Sequence, residues 1–426
     1  MTDRHFAVHP NLRQLRRQAK DLLRAIQRRD ADAVAELATH HPAHPQPGSA
    51  TLVDAQLALA RSYGLASWPR LVLACKVTDA ICNDRVAVLR SLLERHPELI
   101  AEPARGRVGC NWGSPMSYAA NLGRTEIIAM LRGLGATDLD HAFGRACLQG
   151  ELDAARQLHQ LGARPSLEAL LWTAETLNAS GLRFLLEMGV PVGPNVPDGL
   201  APVAMVLEGY GRNPKGKHAC LELFATHGVV FPDTPTMAVH RGRLDLLEAH
   251  VRRDPGVLSR TFSHEEIYPP ALGCHADHSL ALHATPLEGS TLLHLCVDAD
   301  EMEMATWLLA RGMPVDGRAD TDADGFGGHT ALFGSVVAQS TRMRDSDDFA
   351  RLLLDHGADP NARASLRKRL RFVGDESLHE YRHVTPLSWG ERFHEQGFVS
   401  RKAMRLLAKR GGTVDGYGAA DNRHHT

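Results

Sequence analysis

The sequence predicts an all-α fold: a solenoid of about nine irregular helix–turn–helix units, following a helical leader. Three observations point to it. One apolar and capping pattern recurs along the chain, as in "STLLHLCVDADEMEMATWLLARGMPVD", residues 290–316, and its relatives "SPMSYAANLGRTEIIAMLRGLGATD" from Ser114 and "HAFGRACLQGELDAARQLHQLGARP" from His141. Glycines recur just after the second helix of each unit. And 426 residues are too many for one ordinary globular core, which leaves several domains or a stacked array.

The leader, residues 1–75, comes first. "NLRQLRRQAKDLLRAIQRR" puts Leu12, Leu15, Ala19, Leu22, Leu23 and Ile26 on one helical face and Arg and Lys on the other. "HHPAHPQPGSA" is a proline-rich connection, and residues 53–75 read as a helix, a stop at Gly64 and a further helix after Trp68-Pro69. A helical cap for an array that cannot end on an open apolar face is the expected role. The basic face offers an alternative contact for acidic partners, diluted by Asp21, Asp30, Asp32 and Glu36.

The array spans 76–416, with units starting near Lys76, Trp112, Leu139, Leu167, Leu200, Thr234, Ser290, His329 and Thr385. Thr385-Pro386 and Ser114-Pro115 place a capping hydroxyl before a proline suited to the first helical turn. Leu92-Leu93, Leu185-Leu186, Leu308-Leu309, Leu352-Leu353 and Leu406-Leu407 supply the buried stripe of the second helices. Gly135, Gly162, Gly189, Gly228, Gly312, Gly357 and Gly411 fall where a left-handed helix stop is required. Residues 417–426 are expected to be a disordered tail.

These residues resemble the ankyrin repeat. Its pattern is nearly complete in "LLLDHGADPNA", residues 352–362, and partial in "TPLSWG", "STLLHLC" and "HTALFG". The leader, "QAKDLL…DAQLALARSYGLASWPRL", is similar to one that precedes ankyrin arrays in many bacterial proteins. The resemblance implies short β-hairpin fingers between repeats and recognition of a protein or peptide along a concave face. The residues expected there are Trp112, His240, Arg241, His294, Asp298, Asp324, Phe326 and Trp389, at finger or first-helix positions that the core does not demand.

Three segments depart from the pattern. The insertion 263–289 gathers His264, Glu265, Glu266, Tyr268, Cys274, His275, Asp277, His278 and His283. It reads as a packed loop over part of the groove, with two alternatives. Cys274, His275, His278 and His283 are of types that bind zinc, without a finger spacing. His264 and Glu265, folded over the groove towards His294, Asp298 and Glu301, form the other, an acid–base site. "DTDADGFGG", residues 320–328, opens like a calcium loop at Asp320, Asp322, Asp324 and Gly325, but Ala331 stands where the bidentate Glu is needed, so a plain finger is expected. Residues 364–384 carry Arg367, Lys368, Arg369 and Arg371 with Phe372, then Asp375, Glu376 and Glu380, and read as a solvated hairpin or short helix; a patch for phosphate or an acidic peptide is the alternative.

A formal net charge of −2 gives no global pull towards nucleic acid or an anionic membrane. No early stretch reads as a signal peptide and the seven cysteines are scattered, so free thiols in the cytoplasm are expected. Walker A, GxSxG and HExxH patterns are missing, and glycine-rich "GRVGCNWG" falls at a finger. The expected function is recognition of a protein or peptide partner, with no cofactor; an enzyme or metal protein on the same scaffold is the rival.

Overall fold

The computed structural model describes residues 6–106, 111–276, 283–342 and 344–414. The described chain is mostly α-helical, and no helix in it is long and apolar enough to cross a membrane. It divides into two compact units, one of residues 1–173 with 180–190 and the other of 174–179 with 191–426.

The first unit begins with helices Leu12–Gln27, Ala31–His40 and Leu52–Ser62. Asn11, Asp30 and Thr51 cap them, each side chain accepting a backbone N–H of the first turn. Leu15, Ala19, Leu22 and Ile26 meet Ala33, Leu37, Ala55 and Leu59 in one core that continues to Leu71 and Cys75. Helix Trp68–Cys82 runs unbroken across position 75/76, where the sequence suggested the leader ended, because Ser67 caps it and Pro69 suits its first turn. Helix pairs follow: Val86–Arg95 completes the first, then come Pro115–Asn121 with Thr125–Gly133 and Leu139–Gln149 with Leu152–Gln160. First helices pack on first helices and second on second, so each pair buries the apolar face of its neighbour.

In the second unit the pairs are Ala201–Glu208 with Pro214–Thr226, Pro235–His240 with Leu244–Arg253, Leu292–Ala299 with Met302–Ala310, Ala331–Val336 with Asp348–Asp355, and Pro386–Arg392 with Arg401–Lys409. Pro235–His240, Leu292–Ala299, Ala331–Val336 and Pro386–Arg392 stack in that order. The seven stop glycines all have positive φ, between 85° and 109°. Residues 364–384 form an antiparallel hairpin, strands Ala364–Lys368 and His379–Val384, rather than a helix. A second finger, 318–330, is held by bridges Arg318 to Thr330 and Thr321 to Gly327. The insertion is closed at its base by paired backbone hydrogen bonds between Phe262 and Ser290, at 2.8 and 3.1 Å.

Candidate functional site

The two fingers of the second unit are fastened to each other. Gly327 N–H donates to Ser365 O at 2.7 Å. This approach requires glycine: φ is +119°, and a Cβ there would lie 1.9 Å from Asp320 O. Arg367, on the hairpin, spans Asp322 at 2.7 Å and Asp324 at 3.0 Å on the finger. Its guanidinium also lies 4.9 Å from the Phe326 ring centroid, with Arg382 at 4.3 Å. Phe326 is therefore buried beneath two arginines.

Between these fingers and the end of the insertion lies a cleft of about 290 Å³, lined among others by Glu288, Asp320, Phe326, His329, Leu366 and Arg367. Two of its carboxylates lack a cationic partner among the described residues. Glu288 accepts from His264 N–H at 2.8 Å, and Asp320 accepts from Thr261 Oγ1 at 3.0 Å. His329 is 1% exposed; its Nε2 donates to Pro286 O at 2.9 Å, and its Nδ1 has no hydrogen-bond partner among the described residues. Burial lowers its pKa to about 4, so the ring is neutral. A larger cleft of about 410 Å³ lies in the first unit beside His9, Arg13 and Lys76, but its one carboxylate, Asp79, is already shared by His9 and Arg85.

A second constellation is largely buried, with His218 at its partly exposed edge. Arg212 and Asp298, 8% and 9% exposed at their side chains, pair at 3.0 Å, and Arg212 Nε also donates to Asp298 O. His218 pairs with Glu301 at 2.6 Å. Lys217 Nζ donates to His240 Nδ1 at 2.8 Å and to Leu207 O at 3.3 Å, while His240 Nε2 donates to Ile267 O at 2.9 Å. That carbonyl fixes the histidine tautomer, since it can only accept. Burial, helped by the Arg212 charge, lowers the Lys217 pKa to about 8; burial and the Lys217 charge push His240 well down. Burial raises the Tyr268 hydroxyl and the Cys274 thiol. A lysine lowered to about 8 beside a neutral histidine is general-base chemistry in an open site. Here they satisfy each other and pin the insertion to helix Pro235–His240.

The residues singled out from the sequence are dispersed. Trp112 is half-buried, its ring centroid 4.8 Å from that of Tyr118, with the Arg145 guanidinium 5.8 Å away. Arg241 pairs with Glu222 at 2.7 Å and lies over Phe231. His294 is buried: its Nδ1 takes the Thr291 hydroxyl at 2.9 Å and its Nε2 donates to His329 O at 3.0 Å, tying one first helix to the next. Trp389 is fully buried, edge-on to Tyr381 and Phe393. Asp324 is exposed and held by Arg367.

Among the described residues the catalytic and metal alternatives are not brought together. His264 is buried against Tyr268 and His283, Glu265 points to solvent, and His275 is exposed and paired with Glu208 at 2.9 Å. Cys274 is buried as a thiol, and His278 lies outside the described residues. Among the described residues no three His, Cys, Asp or Glu side chains are grouped to hold a metal ion. Reading by sequence missed Arg212, whose side chain is 8% exposed, and the buried Lys217, and it placed Lys368 in a solvated basic run although that residue is buried. Lys217 carried a signal: with Cys220, Leu221 and Phe224 it completes an i, i+3, i+4, i+7 buried stripe.

No family model matches the chain, and no curated protein matches it. Among solved structures, the ankyrin repeat domain of human ASB11 matches at 15% identity and a TM-score of 0.25, covering 71% of this chain and 100% of that one.

Proposed function

We propose that this protein is an ankyrin-type recognition scaffold, with about nine repeats over 76–416. Residues 1–75 cap the array, as in the bacterial type that the leader resembles, and the protein works in the cytoplasm. It binds a protein or peptide partner on the finger side of the array, with neither nucleic acid nor membrane involved. The Thr291–His294–His329 linkage and the stacked helix pairs support the repeat reading. The observation that carries the recognition reading is the cleft between two mutually locked fingers, which holds carboxylates without cationic partners.

Trp112, Arg241 and Asp324 belong to the contact set because each presents surface. Phe326 lies under Arg367, which holds Asp324, while His240, His294, Asp298 and Trp389 are packed inside the second unit. Hydrogen exchange on a complex with a partner cross-linked in the native host's lysate tests the reading. Protection is expected at 286–289, 318–330 and 364–384. Protection confined to the second helices or the leader overturns it.

A further inference from the structure

We infer that the cleft between the fingers is a receptor for one arginine side chain of the bound partner; this rests on the recognition reading above. Charge comes first. On the finger, Asp322 and Asp324 engage Arg367, the one cation in the cleft lining, whereas Glu288 and Asp320 face the cleft without an ion pair among the described residues. Two such carboxylates repel an anion and attract a cation, and their field is focused by the low-dielectric walls around them.

The second observation is independent of charge. His329 is part of the cleft wall. The Pro286 carbonyl accepts from Nε2, so the ring proton sits there and Nδ1 keeps a lone pair without a donor. A buried acceptor left unsatisfied is costly, and a donor that reaches it from the cleft recovers that cost. The cleft therefore offers two carboxylates, Glu288 and Asp320, with an imidazole whose Nδ1 lacks a donor in its wall.

Size and shape narrow the occupant. At about 290 Å³ the cleft sits at the lower end of the ~300–1,000 Å³ typical of small-ligand pockets, which suits a single long side chain. Leu366 and Phe326 form an apolar wall for a methylene stem. A guanidinium presents five N–H groups in a rigid plane and can address acceptors on separate walls at once; an ammonium is a compact point charge.

The test uses acetyl-Gly-Arg-Gly-amide as the probe, beside its lysine and citrulline counterparts, titrated into the ¹⁵N-labelled full chain and followed by NMR. A lone side chain is expected to bind on the order of millimolar. The arginine peptide should give saturable shifts at the Gly289 and Gly327 amides and move His329 Nδ1 upfield as it accepts a hydrogen bond. Citrulline, which keeps the shape and loses the charge, should bind at least about tenfold more weakly. So should arginine to the Glu288→Gln/Asp320→Asn variant, with the melting temperature retained because both side chains are exposed. Absence of saturable shifts, equal binding of citrulline, or an unaffected double variant overturns the inference. Lysine binding as tightly as arginine, or calcium chloride reproducing the shifts, overturns the arginine assignment. A cross-linked partner that protects the fingers yet binds the double variant like the parent sinks this inference and leaves the recognition reading standing. Protection confined to the second helices or the leader sinks the recognition reading.

Discussion

Lowering the pH from about 7.5 to about 5 protonates histidines of the unfolded chain, while His294 and His329 stay neutral in the folded one. Burial lowers their pKa values from 6.5 to about 3 and about 4 respectively, with the neighbouring His329 adding to the shift at His294. Between those values and 6.5 the unfolded state holds more protons than the folded state, so stability falls as the pH falls. The stability these rings contribute is whole above pH 6.5 and is lost progressively below it. At about pH 5 each histidine accounts for ~2 kcal/mol, from one and a half pH units at ~1.4 kcal/mol each. The pair accounts for ~4 kcal/mol, a large share of the ~5–15 kcal/mol that holds a typical fold. Urea midpoints at the two pH values read this directly. His294→Gln serves as the control: it lowers stability at neutral pH by disturbing the Thr291 and His329 hydrogen bonds, and flattens the pH dependence by ~2 kcal/mol. A parent that loses nothing between the two pH values, or a variant that loses as much as the parent, refutes the reasoning.

Other substitutions probe the packing. Trp389→Ala empties a fully buried site and should cost ~3–5 kcal/mol in denaturant unfolding. Trp112→Ala, which loses a tilted contact with Tyr118, should cost only ~1 kcal/mol yet weaken partner binding in calorimetry. Asp298→Ala leaves Arg212 buried without its counter-charge and should cost ~3–5 kcal/mol, whereas Arg212→Met with Asp298→Leu should recover most of that in the same assay. Deleting residues 1–75 cuts through helix Trp68–Cys82 and should lower solubility and melting temperature; a monomer as stable as the parent would make the segment a tethered domain.

The helix pairs were legible because punctuation in this chain has one physical meaning. A glycine after the second helix of a unit marks a left-handed stop, and all seven such glycines adopt one. Ser114 and Thr385 before proline accept first-turn N–H groups as their sequence positions imply. Side-chain fate was less legible, because polarity is a poor guide where burial comes with a partner. His240 and Asp298 read as groove contacts from their place on first helices, yet Lys217 and Arg212, from another part of the chain, draw them inside. That pairing crosses 23 residues in one case and 86 in the other, and no local pattern encodes it. The cleft itself joins residues 288, 320, 329 and 367, and the contacts that shape it exist only once the two fingers meet.

The Phe262–Ser290 bridge fixes both ends of the insertion at one point. Chain leaves the array and returns at the same place, so whatever lies between costs the stacked helices nothing in spacing. A segment rooted at one point can change length without moving the helix pairs on either side. Only a few threads tie the segment down near its start, the Thr236 hydroxyl to Glu266 O at 2.6 Å and His240 to Ile267 O among them. Further along, His275 to Glu208, the Thr285 hydroxyl to Val337 O and His329 to Pro286 O fasten it again, so a graft that replaces the segment must keep these contacts together with Ser263 to Ile267.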